Sequence, residues 1–162
     1  MEPEPVTKIA RCIAVILAVF AAGTAGAAAR PNIFAPVPYA AADRVAGLAQ
    51  SGDKNAQAQL GWMYATGRGV PQDYYKAAKW YYLAAVQGQG FAQFELGLAY
   101  NKGQGVRRDY ILSYMWLNLS TSQAVGDDRD FKSRIRDAVA AKLTVAQLAY
   151  AQEISLTWYN AR

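Results

Sequence analysis

Residues 56–88 read AQAQLGWMYATGRGVPQDYYKAAKWYYLAAVQG, and residues 92–124 read AQFELGLAYNKGQGVRRDYILSYMWLNLSTSQA. Laid over each other without a gap, at a spacing of 36 residues, they pair Ala56 with Ala92, Gln57 with Gln93, Leu60 with Leu96 and Gly61 with Gly97. The match continues through Tyr64/Tyr100, Gly67/Gly103, Gly69/Gly105, Val70/Val106, Asp73/Asp109, Tyr74/Tyr110, Trp80/Trp116 and Leu83/Leu119, and Gly52/Gly88 precede it. A fixed period of roughly 20–50 residues is the mark of a solenoid, in which each unit buries its apolar face against the next. The default role of such an array is to hold something.

Each unit reads as two helices. Ala56, Leu60 and Tyr64 fall at i, i+4 and i+8, which places one face inward. Gly61 and Gly97 recur inside this helix although glycine there costs about 1 kcal/mol relative to alanine, so a packing reason is expected. Gly67 and Gly103 end the first helix, and Asp73 and Asp109 stand where a carboxylate meets the unpaired N–H groups of the second. The second helix carries Tyr74, Ala77, Trp80 or Tyr81, and Ala84, matched by Tyr110, Ser113, Trp116 and Ser120. Small residues at these positions predict a close helix crossing.

Working outward, the repeats occupy 52–87 and 88–123. Residues 39–51 form an N-terminal capping helix, the second half of a truncated leading unit. Residues 124–162 form a C-terminal helical cap, in which Phe131, Ile135 and Val139 mark one helix over 128–143. Thr144 and Gln147 make a capping box that opens a last helix to about Tyr159. Residues 30–38, with Pro31, Pro36 and Pro38, read as a linker. At the start, Lys8 and Arg11 precede an apolar run from Cys12 to Ala22, and Ala27, Ala28 and Ala29 follow. This is the order of a secretory signal peptide over 1–29. Its alternative is an uncleaved membrane anchor through 12–29. Cleavage directs the rest of the chain to the periplasm or outside the cell.

The chain has 162 residues, 53% hydrophobic and 18% charged, enough for one domain with a core. It contains no histidine, and its one cysteine, Cys12, lies in the expected leader. Ser-His-Asp and Cys-His nucleophile systems and the usual zinc ligands are therefore missing from the repeats. The net charge of +5 is scattered, and Arg107-Arg108 is the one adjacent basic pair of the repeats. Between 127 and 137 the basic residues alternate with Asp127, Asp128, Asp130 and Asp137, as on a solvated helix face. Neither nucleic acid nor a metal or other cofactor is implied. A Ser-x-x-Lys match at Ser51 and Lys54 falls in a turn and lacks the partner motifs of penicillin-recognising enzymes. The chain is not expected to be an enzyme.

The pattern from Ala56 to Gly88, Ala-Gln-x-x-Leu-Gly-x-Met-Tyr-x-x-Gly-x-Gly-Val-x-x-Asp-Tyr-x-x-Ala-x-x-Trp-Tyr-x-x-Ala-Ala-x-x-Gly, closely resembles the Sel1-like repeat. The resemblance implies an all-α, right-handed α/α solenoid of the tetratricopeptide-like type, and an adaptor or scaffold acting through protein–protein contacts. Some exported proteins with these repeats are linked to β-lactams, which keeps a cell-wall ligand or hydrolase as an alternative. Homo-oligomerisation through stacked arrays is a third. If first helices face a groove, Ala58, Trp62 and Ala65 form one line of partner contacts and Phe94, Leu98 and Asn101 the next. The competing reading of these six positions is packing within the core or between repeats.

Overall fold

The structure, a computed structural model, describes residues 39–160. The expected leader (1–29) and linker (30–38) lie outside the described residues. Seven helices follow one another: α1 (Tyr39–Gln50), α2 (Lys54–Thr66), α3 (Tyr74–Val86), α4 (Gly90–Lys102), α5 (Tyr110–Gln123), α6 (Gly126–Ala140) and α7 (Val145–Asn160). Among the described residues there is no strand. The architecture is an all-α solenoid of two helix pairs, α2–α3 and α4–α5, with helices added at both ends.

The repeated residues set the helix ends. Asp73 accepts from the Lys76 N–H at 3.0 Å, and Asp109 from the N–H groups of Ile111 and Leu112 at 2.9 and 3.0 Å. The first helix of each pair is capped by another matched pair of positions, Asp53 and Gln89, whose side chains accept from Ala56 and Ala92 N–H at 2.7 and 2.6 Å. Gly67 and Gly103 close the first helices in the left-handed conformation, with φ of 71° and 72°. At that φ a side chain is strained and glycine is not.

Within each pair the helices cross at a glycine. A Cβ on Gly61 would lie 2.7 Å from Cδ1 of Tyr81, and one on Gly97 would lie 2.7 Å from Cγ of Leu117. Tyr81 and Leu117 are themselves one repeat apart. In the second pair the crossing gains hydrogen bonds: Ser113 Oγ donates to Gly97 C=O at 2.8 Å and Ser120 Oγ to Gly90 C=O at 2.7 Å. The first pair has buried Ala77 and Ala84 in those places.

A pair of glutamines ties each unit to the one before. Gln57 Nε2 donates to Ala49 C=O at 3.1 Å, and Gln93 Nε2 to Ala85 C=O at 3.2 Å. Both acceptors are carbonyls of a last helical turn, and each also accepts from the backbone N–H of the glycine three residues on, Gly52 or Gly88. The same glutamines accept from their own unit: Gln87 Nε2 donates to Gln57 Oε1 at 2.7 Å and Gln123 Nε2 to Gln93 Oε1 at 2.8 Å. Each buried amide thus joins three successive helices.

The ends are closed unequally. α1 packs on α2 through Ala42 and Ala49 against Ala56, Leu60 and Met63. At the other end α6 and α7 both close on α5, around a cluster of Phe94, Tyr114, Leu117, Val139 and Ala151. Trp158 of α7 stacks edge-on against Trp116 with ring centroids 5.3 Å apart. The helix expected over 128–143 spans 126–140 instead: it opens directly after Val125, and past Ala140 the Lys142 and Leu143 N–H groups turn back to Val139 and Ala140.

Candidate functional site

The two lines of expected contact residues are placed differently. Ala58 is 3% exposed and forms the floor of an open groove with Trp62, Asn55, Gln59, Gln89 and Phe91. The groove encloses about 380 Å³. Trp62 is half-buried, with the Arg68 guanidinium 5.0 Å above its ring. Phe91 is 42% exposed and meets the Tyr81 ring edge-on at 6.1 Å. The second line is covered. Phe94, 9% exposed, and Leu98 lie in the cluster made with Val139 and Ile135, where α6 takes the place of a further first helix. Asn101 Oδ1 accepts from Lys142 Nζ at 2.8 Å and so is tied to the α6–α7 turn. Phe94 and Leu98 therefore belong to inter-helix packing, because the C-terminal cap needs an apolar surface to close upon.

Ala65 and Leu98 also line a small, partly open recess of about 50 Å³ between the two units, with Tyr81 and Glu95. The Tyr81 hydroxyl is buried and has no hydrogen-bond partner among the described residues. Burial, and then the charge of Glu95, push its ionisation up. Burial likewise raises Glu95, and Lys102 opposes this in part. The space has both polar and apolar walls and is large enough for a water molecule. It is too small for a metabolite.

Phe91 was not among the residues expected from sequence. Its signal was present: the matched position in the first unit is Asn55, so the aromatic departs from the repeat and is not demanded by it. The serine of the Ser-x-x-Lys match bonds to the backbone. Ser51 Oγ donates to Leu48 C=O at 2.8 Å, a local bond at the end of α1. Among the described residues no group of three or more His, Cys, Asp or Glu side chains is placed to hold a metal ion. Among them, too, no helix is long and apolar enough to cross a membrane.

The helix pairs, their crossing glycines and the linking glutamines define a repeat solenoid, and comparison with known proteins specifies which one. The family model of the Sel1 repeat matches residues 54–89 and 90–125. A crystal structure of a Sel1 repeat protein from Oxalobacter formigenes is similar at 40% identity and a TM-score of 0.55, over 60% of this chain and 71% of that one. A protective antigen of uropathogenic Escherichia coli strains, described as displaying an SLR fold, is similar at 35% identity and a TM-score of 0.68 over 75% of this chain. This chain spans 26% of that antigen's length. No curated protein sequence matches significantly. The chain belongs to the Sel1 repeat family, whose repeats commonly serve protein–protein interaction and typically build scaffolds.

Proposed function

We propose that this chain is an exported adaptor that binds a protein partner in the periplasm or cell envelope and performs no catalysis itself. The observation that carries the binding role is the groove floored by Ala58 and Trp62 and walled by Phe91. Its floor and its wall each carry one aromatic ring, its rim carries the amides of Asn55, Gln59 and Gln89, and Phe91 is not required by the repeat. Aromatic side chains half-sunk in a well-packed floor are what interface hot spots consist of. Export rests on the sequence of residues 1–29, whose basic start, apolar run and small residues support a cleaved leader.

The test is affinity capture from envelope extract, followed by direct titration of the captured protein after its purification. The wild-type chain is set beside a Trp62→Ala/Phe91→Ala variant of unchanged helicity. A partner whose direct binding falls at least about tenfold in the variant supports the adaptor. Partners that bind both chains equally remove this groove from the function.

A further inference from the structure

A second groove lies on the loop that joins α4 to α5, and it shares no lining residue with the one at Trp62. Its geometry begins with Gly105. That residue has φ of 71°, and a Cβ on it would overlap the Tyr74 carbonyl oxygen. The loop is therefore seated backbone-to-backbone on the first turn of α3. Between them is a trough of about 630 Å³ whose lining includes Tyr75, Tyr100, Arg107, Arg108, Asp109 and Leu112. It runs on along α3 into a shallower depression of about 180 Å³, which adds Lys79, Tyr82 and Leu96. Tyr75 is 72% exposed.

Cations outnumber acids in the trough, with Arg107, Arg108 and Lys79 against Asp109. Arg107, Arg108 and Lys79 make no ion pair among the described residues. Asp109 also lines the trough and accepts from two backbone N–H groups of α5 through one carboxylate oxygen. Asp73 likewise accepts from the Lys76 N–H and pairs with its ammonium group. Arg108 lies over the Tyr110 ring, 5.9 Å from its centroid, but the loop geometry does not depend on either arginine. In the first unit the same positions are Pro71 and Gln72, yet that loop has the same closing glycine geometry and the same aspartate cap. The second unit thus carries two cations in a loop that the first unit closes with the same geometry without them.

We propose that this trough is a docking site for an acidic linear segment of a partner protein. Carboxylates of the segment would meet Arg107 and Arg108, whose planar guanidinium groups suit bidentate pairing. An aromatic or leucine side chain would lie between Tyr75 and Tyr100 on the floor of Leu96 and Leu112. That floor favours a peptide over a phosphate or a lipid headgroup, which would leave it uncovered. The proposal rests on the adaptor reading and names the chemistry of a partner.

The experiment is fluorescence anisotropy with the full chain and a labelled peptide of glutamates interrupted by one leucine and one tyrosine. The variant Arg107→Pro/Arg108→Gln gives the loop the residues of the first unit and so keeps its fold. Wild-type binding that weakens about tenfold or more in this variant, in Tyr75→Ala, and with a glutamine-for-glutamate peptide supports the site. An absence of binding, or binding equal in the variant, overturns it. So does variant-sensitive binding to phosphatidylglycerol vesicles without peptide binding, which would make the trough a membrane contact. If the Trp62-dependent partner survives while the peptide fails, this inference falls and the adaptor reading stands.

Discussion

Gly97 and Leu117 touch so closely that a Cβ on the glycine would lie 2.7 Å from the leucine Cγ and 3.2 Å from its backbone nitrogen. Neither atom is the far end of a flexible side chain, so the helices themselves must separate to admit a methyl group. Gly97→Ala is expected to destabilise the fold by about 1–3 kcal/mol despite alanine's higher helix propensity. Gly47 is the contrast. It is helical, and a Cβ there meets nothing within 4 Å. Gly47→Ala is expected to stabilise by up to about 1 kcal/mol. Urea denaturation of both variants checks the pair, and a loss in both would discard the close crossing as the reason for the repeated glycine.

The link between units makes a separate prediction. Gln93 is buried and bonded both to the Ala85 carbonyl and to Gln123. Gln93→Leu keeps the volume and leaves two partners without it, so a loss of about 1–3 kcal/mol is expected. Gln123 is exposed, and Gln123→Ala should cost less. A double-mutant cycle between positions 93 and 123 should show coupling of at least about 0.5 kcal/mol. Strict additivity would mean that the amides stabilise their helices separately.

Repeat period, helix order and caps were legible in the sequence because each depends on local chemistry. Asp73 and Asp109 stand next to the N–H groups they accept from, and Gly67 and Gly103 next to the helices they close. The site was less legible. Ala58 and Trp62 do line a groove, but Phe94 and Leu98 share their spacing and are covered by α6, a helix some forty residues further on. Spacing shows which residues share a face and says nothing of what packs on that face. The role of Phe91 and the seating of Gly105 on Tyr74 depend on contacts between units, which neither unit shows alone.

The space between Tyr81 and Glu95 predicts a pH dependence. Burial raises the Glu95 carboxyl above its ordinary value in the folded state, with Lys102 opposing. An acid raised in this way binds its proton more tightly folded than unfolded. Its contribution to stability therefore falls as pH rises from the unfolded-state value through the folded one. Glu95→Gln is expected to remove this fall and to leave the protein at least as stable as wild type at neutral pH. Thermal unfolding at mildly acidic and neutral pH checks it. A variant less stable than wild type at neutral pH would show instead that the charged carboxylate is needed there.

The last prediction concerns how the array is closed. Gln147 Oε1 accepts from Thr144 N–H at 2.9 Å, and the Thr144 hydroxyl accepts from Gln147 N–H at 3.3 Å. This reciprocal cap holds the start of α7, and α7 in turn carries Ile154 and Trp158 onto the core beside Trp116. Most of α7 is exposed, so its attachment depends on few residues, and a frayed start shortens the helix that delivers them. Thr144→Ala is expected to cost about 1 kcal/mol. The loss should be local: amide exchange should quicken over 145–160 while α2 to α5, held by their own crossings, keep their protection. Gln147→Ala should do much the same, and the double variant should cost less than the two losses together, since each bond presupposes the other's geometry. Exchange that quickens uniformly across all the helices would mean that α7 is part of one cooperative unit with the repeats and does not behave as a separable cap.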